Sequence, residues 1–198
     1  MRRLRIACGL ALAASLSGCA AIPGFGPPPV DAYELSSPRV ESGRRLARVQ
    51  ILIAEPDALK VFDGENIVVR TRDGAVQLLG GARWADNLPN IVQAKLSAAF
   101  QSTDALGGVG KPGDGLAIDY QIIPEIRAFE IRADGGEAAF VELYVRVLND
   151  RTGVVRASQT FVASAPVSGS GNNAYFRALD AAFQVAAAEI VSWSLDRL

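Results

Sequence analysis

Histidine does not occur in this 198-residue chain, and its two cysteines, Cys8 and Cys19, both stand near the N-terminus. The commonest general base and metal ligand is therefore missing, and thiol nucleophiles are confined to those two positions. A serine nucleophile with a lysine base would need Lys60, Lys95 or Lys111, the only lysines, and no Ser-x-x-Lys spacing is present. Gly108-Val109-Gly110-Lys111 has the glycines and lysine of a phosphate-binding loop. Pro112, however, stands where a Ser or Thr would hold magnesium, and the expected preceding element is a helix instead of a strand. Asp57 with Asp63, and Asp114 with Asp119, lack the full oxygen-ligand spacing of a calcium loop and read as solvated turn carboxylates. Acid pairs for glycoside cleavage arise too easily by chance among 21 acidic residues to single one out. No catalytic residue, metal or cofactor is expected, and the chain does not read as an enzyme.

Cys19 does sit in a reactive context. Arg2, Arg3 and Arg5 precede an uncharged apolar run, Ile6 to Leu16, and then come Ser17, Gly18 and Cys19. The run is too short to span a bilayer, which takes ~20 apolar residues, and basic-then-apolar order marks an export leader. Small residues at 17 and 18 admit a peptidase, and the Cys19 thiol is the nucleophile that takes up diacylglycerol. Leu16-Ser17-Gly18-Cys19 thus resembles the lipobox of bacterial lipoproteins, which implies a leader over residues 1–18 and a lipidated Cys19 carrying acyl chains such as palmitate. Ala20 instead of Asp at the next position implies sorting to the outer membrane. Once Cys8 leaves with the leader and Cys19 is acylated, no thiol remains for a disulfide, so stability falls to the core. Loss of the three leader arginines takes the formal charge from −1 to −4, and no clustered basic face suggests nucleic acid.

The elements follow from periodicity. Residues 19–32, with Pro23, Gly24, Gly26, Pro27, Pro28 and Pro29, read as an extended tether reaching roughly 30 Å. One domain follows over 33–198. Tyr33-Glu34-Leu35 and Arg48 to Ile53 read as early strands, the second apolar enough to be buried on both faces. Ser36 to Arg45 is a loop, and Pro56 to Leu59 suggests a turn of helix. Ile67 to Arg70 and Ala75 to Leu79 form a hairpin about Asp73-Gly74. Asp86 as N-cap, Pro89 in the first turn and Leu88, Val92, Leu96 and Phe100 at four-residue spacing predict a helix over 86–102. Glycine and proline leave 107–115 a mobile loop. Strands over 116–131, 138–149 and 154–164 form an antiparallel meander, with Pro124 at a bulge or an edge. Phe176, Leu179, Phe183, Ala186, Ile190 and Trp193 predict a second long helix over 173–197. The expected fold is α+β: a mixed, mainly antiparallel sheet with two long helices packed on it.

Gly80-Gly81-Ala82-Arg83-Trp84-Ala85-Asp86-Asn87-Leu88-Pro89, just before the first helix, is the unusual cluster. Arg83, Trp84 and Asp86 suit a partner-binding surface, since tryptophan and arginine are enriched at binding hot spots. The structural reading, the favoured one, is that Trp84 packs under the helix start while Asp86 caps it.

This run, together with Tyr33-x-Leu35, Ile67-Val68-Val69-Arg70, Gln93, Leu96, Phe100, Phe129-Glu130 and Ile190-Val191-x-Trp193, resembles the ABC-type transport auxiliary lipoproteins, the relatives of paraquat-inducible protein C. The resemblance implies a non-enzymatic, periplasm-facing lipoprotein on the outer membrane. Its partners would be an ABC transporter and an MCE-domain periplasmic protein in lipid traffic between membranes. A lipid carrier or sensor independent of any transporter is the alternative. The family supplies no catalytic residues, so Arg83, Trp84 and Asp86 carry over only as motif positions.

Overall fold

The computed structural model describes residues 29–41 and 43–198. The leader, Cys19 and most of the tether lie outside the described residues. The strands are β1 (Asp31–Tyr33), β2 (Leu46–Ile53), β3 (Asp57–Ala58), β4 (Asn66–Arg70), β5 (Val76–Trp84), β6 (Leu106–Gly110), β7 (Tyr120–Arg132), β8 (Ala138–Asn149) and β9 (Val154–Pro166). The helices are α1 (Leu88–Gln101) and α2 (Asn172–Leu195).

The spine is β7, thirteen residues of Ile, Phe and alternating polar side chains. Along one edge it pairs antiparallel with β8, which pairs antiparallel with β9. These are the expected meander, turned by Gly135 (φ 88°) and Gly136 (φ 142°) and by Gly153 (φ 68°). The other edge of β7 is shared by three parallel strands in succession: β2 against 120–122, β3 against 125–126 and β4 against 130–132. Beyond β4 lie β5, through the Asp73-Gly74 hairpin, and then β1; beyond β2 lies β6. The nine described strands make one mixed sheet in which the long ladders are antiparallel, with α1 and α2 on one face: the α+β class expected.

The core lies between that face and the helices. Ile122, Phe129, Val145 and Phe161 meet Leu96 and Phe100 of α1 and Leu179, Phe183 and Ile190 of α2, all at 2% exposure or less. Alanines 178, 182, 186 and 187 bring the α2 backbone close to the sheet. Phe176 and Trp193, at the two ends of the predicted stripe, sit on its margins. Phe176 stacks on Tyr33 at 4.7 Å, and Trp193 meets Phe161 edge-on at 5.5 Å.

Four expectations are corrected. Residues 107–110, expected inside a mobile loop, belong to strand β6, Leu106–Gly110. Its glycines serve close approach, since a Cβ on Gly107 would lie 2.5 Å from the Ala47 carbonyl oxygen. Asp57–Ala58, expected in a helical turn, is strand β3. Residues 116–119 precede β7 and are not strand. Pro124 is at neither a bulge nor a sheet edge. The Ile122 carbonyl accepts from the Ala54 N–H on the β2 side, so residue 124 turns the same way and its donorless nitrogen faces the break between β2 and β3. The bulge falls at Arg127, and it switches the inward-facing positions from even (Ile122, Ile126) to odd (Phe129, Ile131).

Candidate functional site

The Arg83–Asp86 segment closes β5 and leads into α1. The Trp84 N–H donates to the Glu65 carbonyl at 2.7 Å, and the Ala85 N–H to the Tyr33 carbonyl at 2.8 Å, so the segment is clamped between β4 and β1. Alternation along β5 turns Trp84 inward. It is 1% exposed, edge-on to Phe129 at 5.6 Å, and Phe129 in turn lies 6.1 Å from Phe183. An indole so buried offers no atom to a partner, so of the three motif residues Trp84 anchors the core. Arg83 and Asp86 remain at the surface. Arg83 forms an ion pair with Glu65. Asp86 is not the N-cap: Asn87 holds that position, Pro89 falls in the first turn, and the Asp86 carboxylate accepts from the Asn87 N–H at 2.7 Å and the Asn90 side-chain amide at 3.3 Å.

Around them, β1 and the start of α2 complete one surface. The Tyr33 hydroxyl donates to Asn173 Oδ1 at 2.9 Å, Asn172 Nδ2 to the Gly80 carbonyl at 3.0 Å, and the Ser36 N–H to Asp180 Oδ1 at 2.7 Å. Glu34 pairs with Lys95 of α1. The sequence motif is therefore the joint at which β1, β5, α1 and α2 meet. Its exposed groups are ion-paired or amide-bonded polar side chains.

Over residues 33–191 the sequence fits the family described as ABC-type transport auxiliary lipoprotein component. The chain belongs to that family. An uncharacterised protein of Bradyrhizobium diazoefficiens is 28% identical over 185 residues, 91% of this chain and 49% of the relative, so the chain spans about half the length of the curated relative it matches. Among solved structures, a Xanthomonas campestris protein superposes with TM-score 0.76 at 25% identity, covering 84% of this chain and 96% of the other. A hypothetical protein of Chlamydia trachomatis superposes with TM-score 0.54 at 13% identity, covering 76% and 98%, a likeness of fold alone. The description of that family is of a lipoprotein component auxiliary to ABC-type transport.

A second charged site of the auxiliary lipoprotein escaped the sequence reading. Glu130, fully buried on the helix-free face of β7, accepts from Arg70 Nε and Nη2, both at 2.8 Å, and from Arg132 Nε at 2.9 Å. The Arg132 guanidinium lies 3.4 Å over the Phe140 ring. Burial pushes the Glu130 carboxyl up, but its hydrogen bonds and charge pairing with Arg70 and Arg132 outweigh this and hold it below the ordinary range. The available signal was an acid two residues from an arginine on one strand face. The third feature is an open groove of about 420 Å³ at the Arg127 bulge, where the two-residue β3 leaves β7 partly uncovered. Ala58, Leu59 and Ile126 line it, and Asp57, Glu125 and Arg127 rim it. Gly108 to Gly110, read in sequence against a phosphate loop, lie in the β2–β6 ladder. Among the described residues no cluster of three acidic, His or Cys side chains is placed to hold a metal. No described helix is long and apolar enough to cross a membrane.

Proposed function

We propose that this lipoprotein is anchored in the outer membrane by lipid on Cys19, faces the periplasm, and docks an MCE-domain protein for an ABC transporter. In that role it helps pass lipid or another apolar substrate between membranes. The family match across residues 33–191 is the observation that carries this reading. It acts by binding alone, without catalysis, metal or cofactor, in keeping with a chain free of histidine. Arg83 and Asp86, held outward by the buried Trp84 anchor, are the proposed partner contacts. Capture of the tagged full-length lipoprotein from envelopes in mild detergent should recover MCE and ABC components. Recovery of neither would count decisively against this role.

The groove at Leu59 and Ile126 favours a second reading, in which the domain itself holds an acyl chain. Mass spectrometry of lipids co-purifying with a Cys19→Ser version separates the two, because a docking protein emerges without stoichiometric lipid.

A further inference from the structure

The sheet opens where β2 runs past the start of β7. β2 meets β7 only from Ile51, which pairs with Tyr120, and its register against β6 slips between Leu46 and Gln50. Arg48 stands in that slip, below the level at which β7 begins. It is exposed and, among the described residues, has no ion pair or hydrogen bond. A cavity of about 420 Å³, open to solvent, occupies the gap. Arg48 lines it from β2, Asp119 and Tyr120 from the entry to β7, and Asn149 and Arg151 from the β8–β9 turn.

The carboxylate in this lining is already neutralised. Asp119 Oδ2 accepts from the Gln50 N–H at 3.0 Å while the Asp119 N–H donates to the Gln50 carbonyl at 2.9 Å, which ties the entry of β7 to β2. Asp119 Oδ1 accepts from Arg151 Nη2 at 3.2 Å, so that guanidinium is held beside the cavity although its side chain is 81% exposed. The neighbouring acid, Asp150, accepts from the Gln121 amide at 2.5 Å. What is left over is a set of donors. The Tyr120 hydroxyl accepts from Arg156 Nη1 at 2.6 Å, which leaves its own proton to donate. Asn149 Oδ1 accepts from the N–H and the hydroxyl of Thr152, both at 3.0 Å, which fixes the side-chain amide and leaves its Nδ2 without an acceptor among the described residues. Two arginines against one aspartate leave the lining positively charged.

We propose that this cavity binds a phosphate ester. Donors from β2, the entry to β7 and the β8–β9 turn surround a volume instead of lying in one plane, which suits the tetrahedral oxygens of a phosphate better than a flat carboxylate. Each guanidinium presents paired N–H groups to such oxygens. Arg48 supplies the charge that no acid of the chain offsets, and Arg151, oriented through Asp119, supplies the second guanidinium. Tyr120 and Asn149 add one hydrogen bond each. The volume falls within the range of small-molecule sites, about 300–1,000 Å³, so the phosphate carries an organic group. The site shares no lining residue with the Leu59 groove and lies apart from the Arg83 joint, so it is independent of both transport readings.

The test is calorimetric titration of the full-length lipoprotein in detergent at about 0.15 M salt, where loose surface attraction is screened. The probes are glycerol 3-phosphate, dihexanoyl phosphatidic acid, which carries the same group on a soluble lipid, and succinate, each corrected for titration into detergent alone. Saturable binding of glycerol 3-phosphate is expected, weakened at least about tenfold by Arg48→Gln and by Arg151→Gln. Arg72→Gln, an exposed arginine of the β4–β5 turn, should leave it intact. Tighter binding of the phosphatidic acid assigns the site to a lipid headgroup, and equal or weaker binding assigns it to a free phosphate ester; either result supports the site. Should Arg48→Gln lose its circular dichroism signal, Arg151→Gln decides alone. No saturable binding of either phosphate at millimolar concentration, an equal loss in Arg72→Gln, or succinate bound as tightly as glycerol 3-phosphate would each overturn the proposal.

Discussion

Glu130 shows how one bulge places a charge. Without the extra residue at Arg127 the parity of β7 would continue, and position 130 would face the helices; with it, Glu130 lies on the open face within reach of Arg70 and Arg132. Its folded-state pKa is lowered, so the stabilisation is complete above the ordinary glutamate range and is lost as pH falls through the lowered folded value. Denaturant titrations on the acid side of neutrality should show that loss in the wild type and not in Glu130→Gln, which cannot titrate. Glu130→Ala strands two arginines that are each about one-third exposed, so the cost should lie near the low end for broken buried pairs, about 3 kcal/mol. The ion pair of Arg83 with Glu65 is half exposed on both sides, and Arg83→Ala should move stability by less than about 1 kcal/mol.

Among the elements, β6 and α2 both owe their positions to small residues that permit close approach. β6 lies beside β2 because Gly107 has no Cβ to strike the Ala47 carbonyl, whereas a Cβ on Gly110 would meet the Leu116 side chain, 2.6 Å away, which can rotate aside. Gly107→Ala should thus cost about 1–3 kcal/mol by thermal denaturation and Gly110→Ala distinctly less. In α2, alanines let a helix approach the sheet closely enough for Phe183 to fill the space between Phe129 and β8. Phe183→Ala, at a position with no exposure, should cost about 3–5 kcal/mol. Both helices were legible, the first from four-residue and the second from alternating three- and four-residue spacing, and so was the β8–β9 hairpin, because local periodicity and turn chemistry define them. β3 and β6 were not. Two residues carry no period, and a glycine run looks the same whether it bends a loop or admits a neighbouring strand.

In the whole molecule, the joint of β1, β5, α1 and α2 and the N-terminal approach share one region, while β9 ends the sheet elsewhere. β1, from which the chain leads back toward Cys19, pairs with the end of β5 beside Arg83, so the proposed docking residues lie on the tether side of the domain. Arg83→Glu should lower recovery of transporter components in envelope capture about tenfold while leaving the melting temperature nearly unchanged. Loss of the fold instead would make the residue structural.

The chain by itself determined the class of fold, the two helices and, through the motif around Arg83, the family. All of these are carried by local chemistry or by a run of adjacent residues. Only the tertiary structure decided that Trp84 is a core anchor while its neighbours face out, that Glu130 has two arginines to neutralise it, and that β9 ends the sheet. Each depends on which strand lies beside which, and three strands sharing one edge of β7 is a long-range arrangement that hydrophobic periodicity within a segment does not encode.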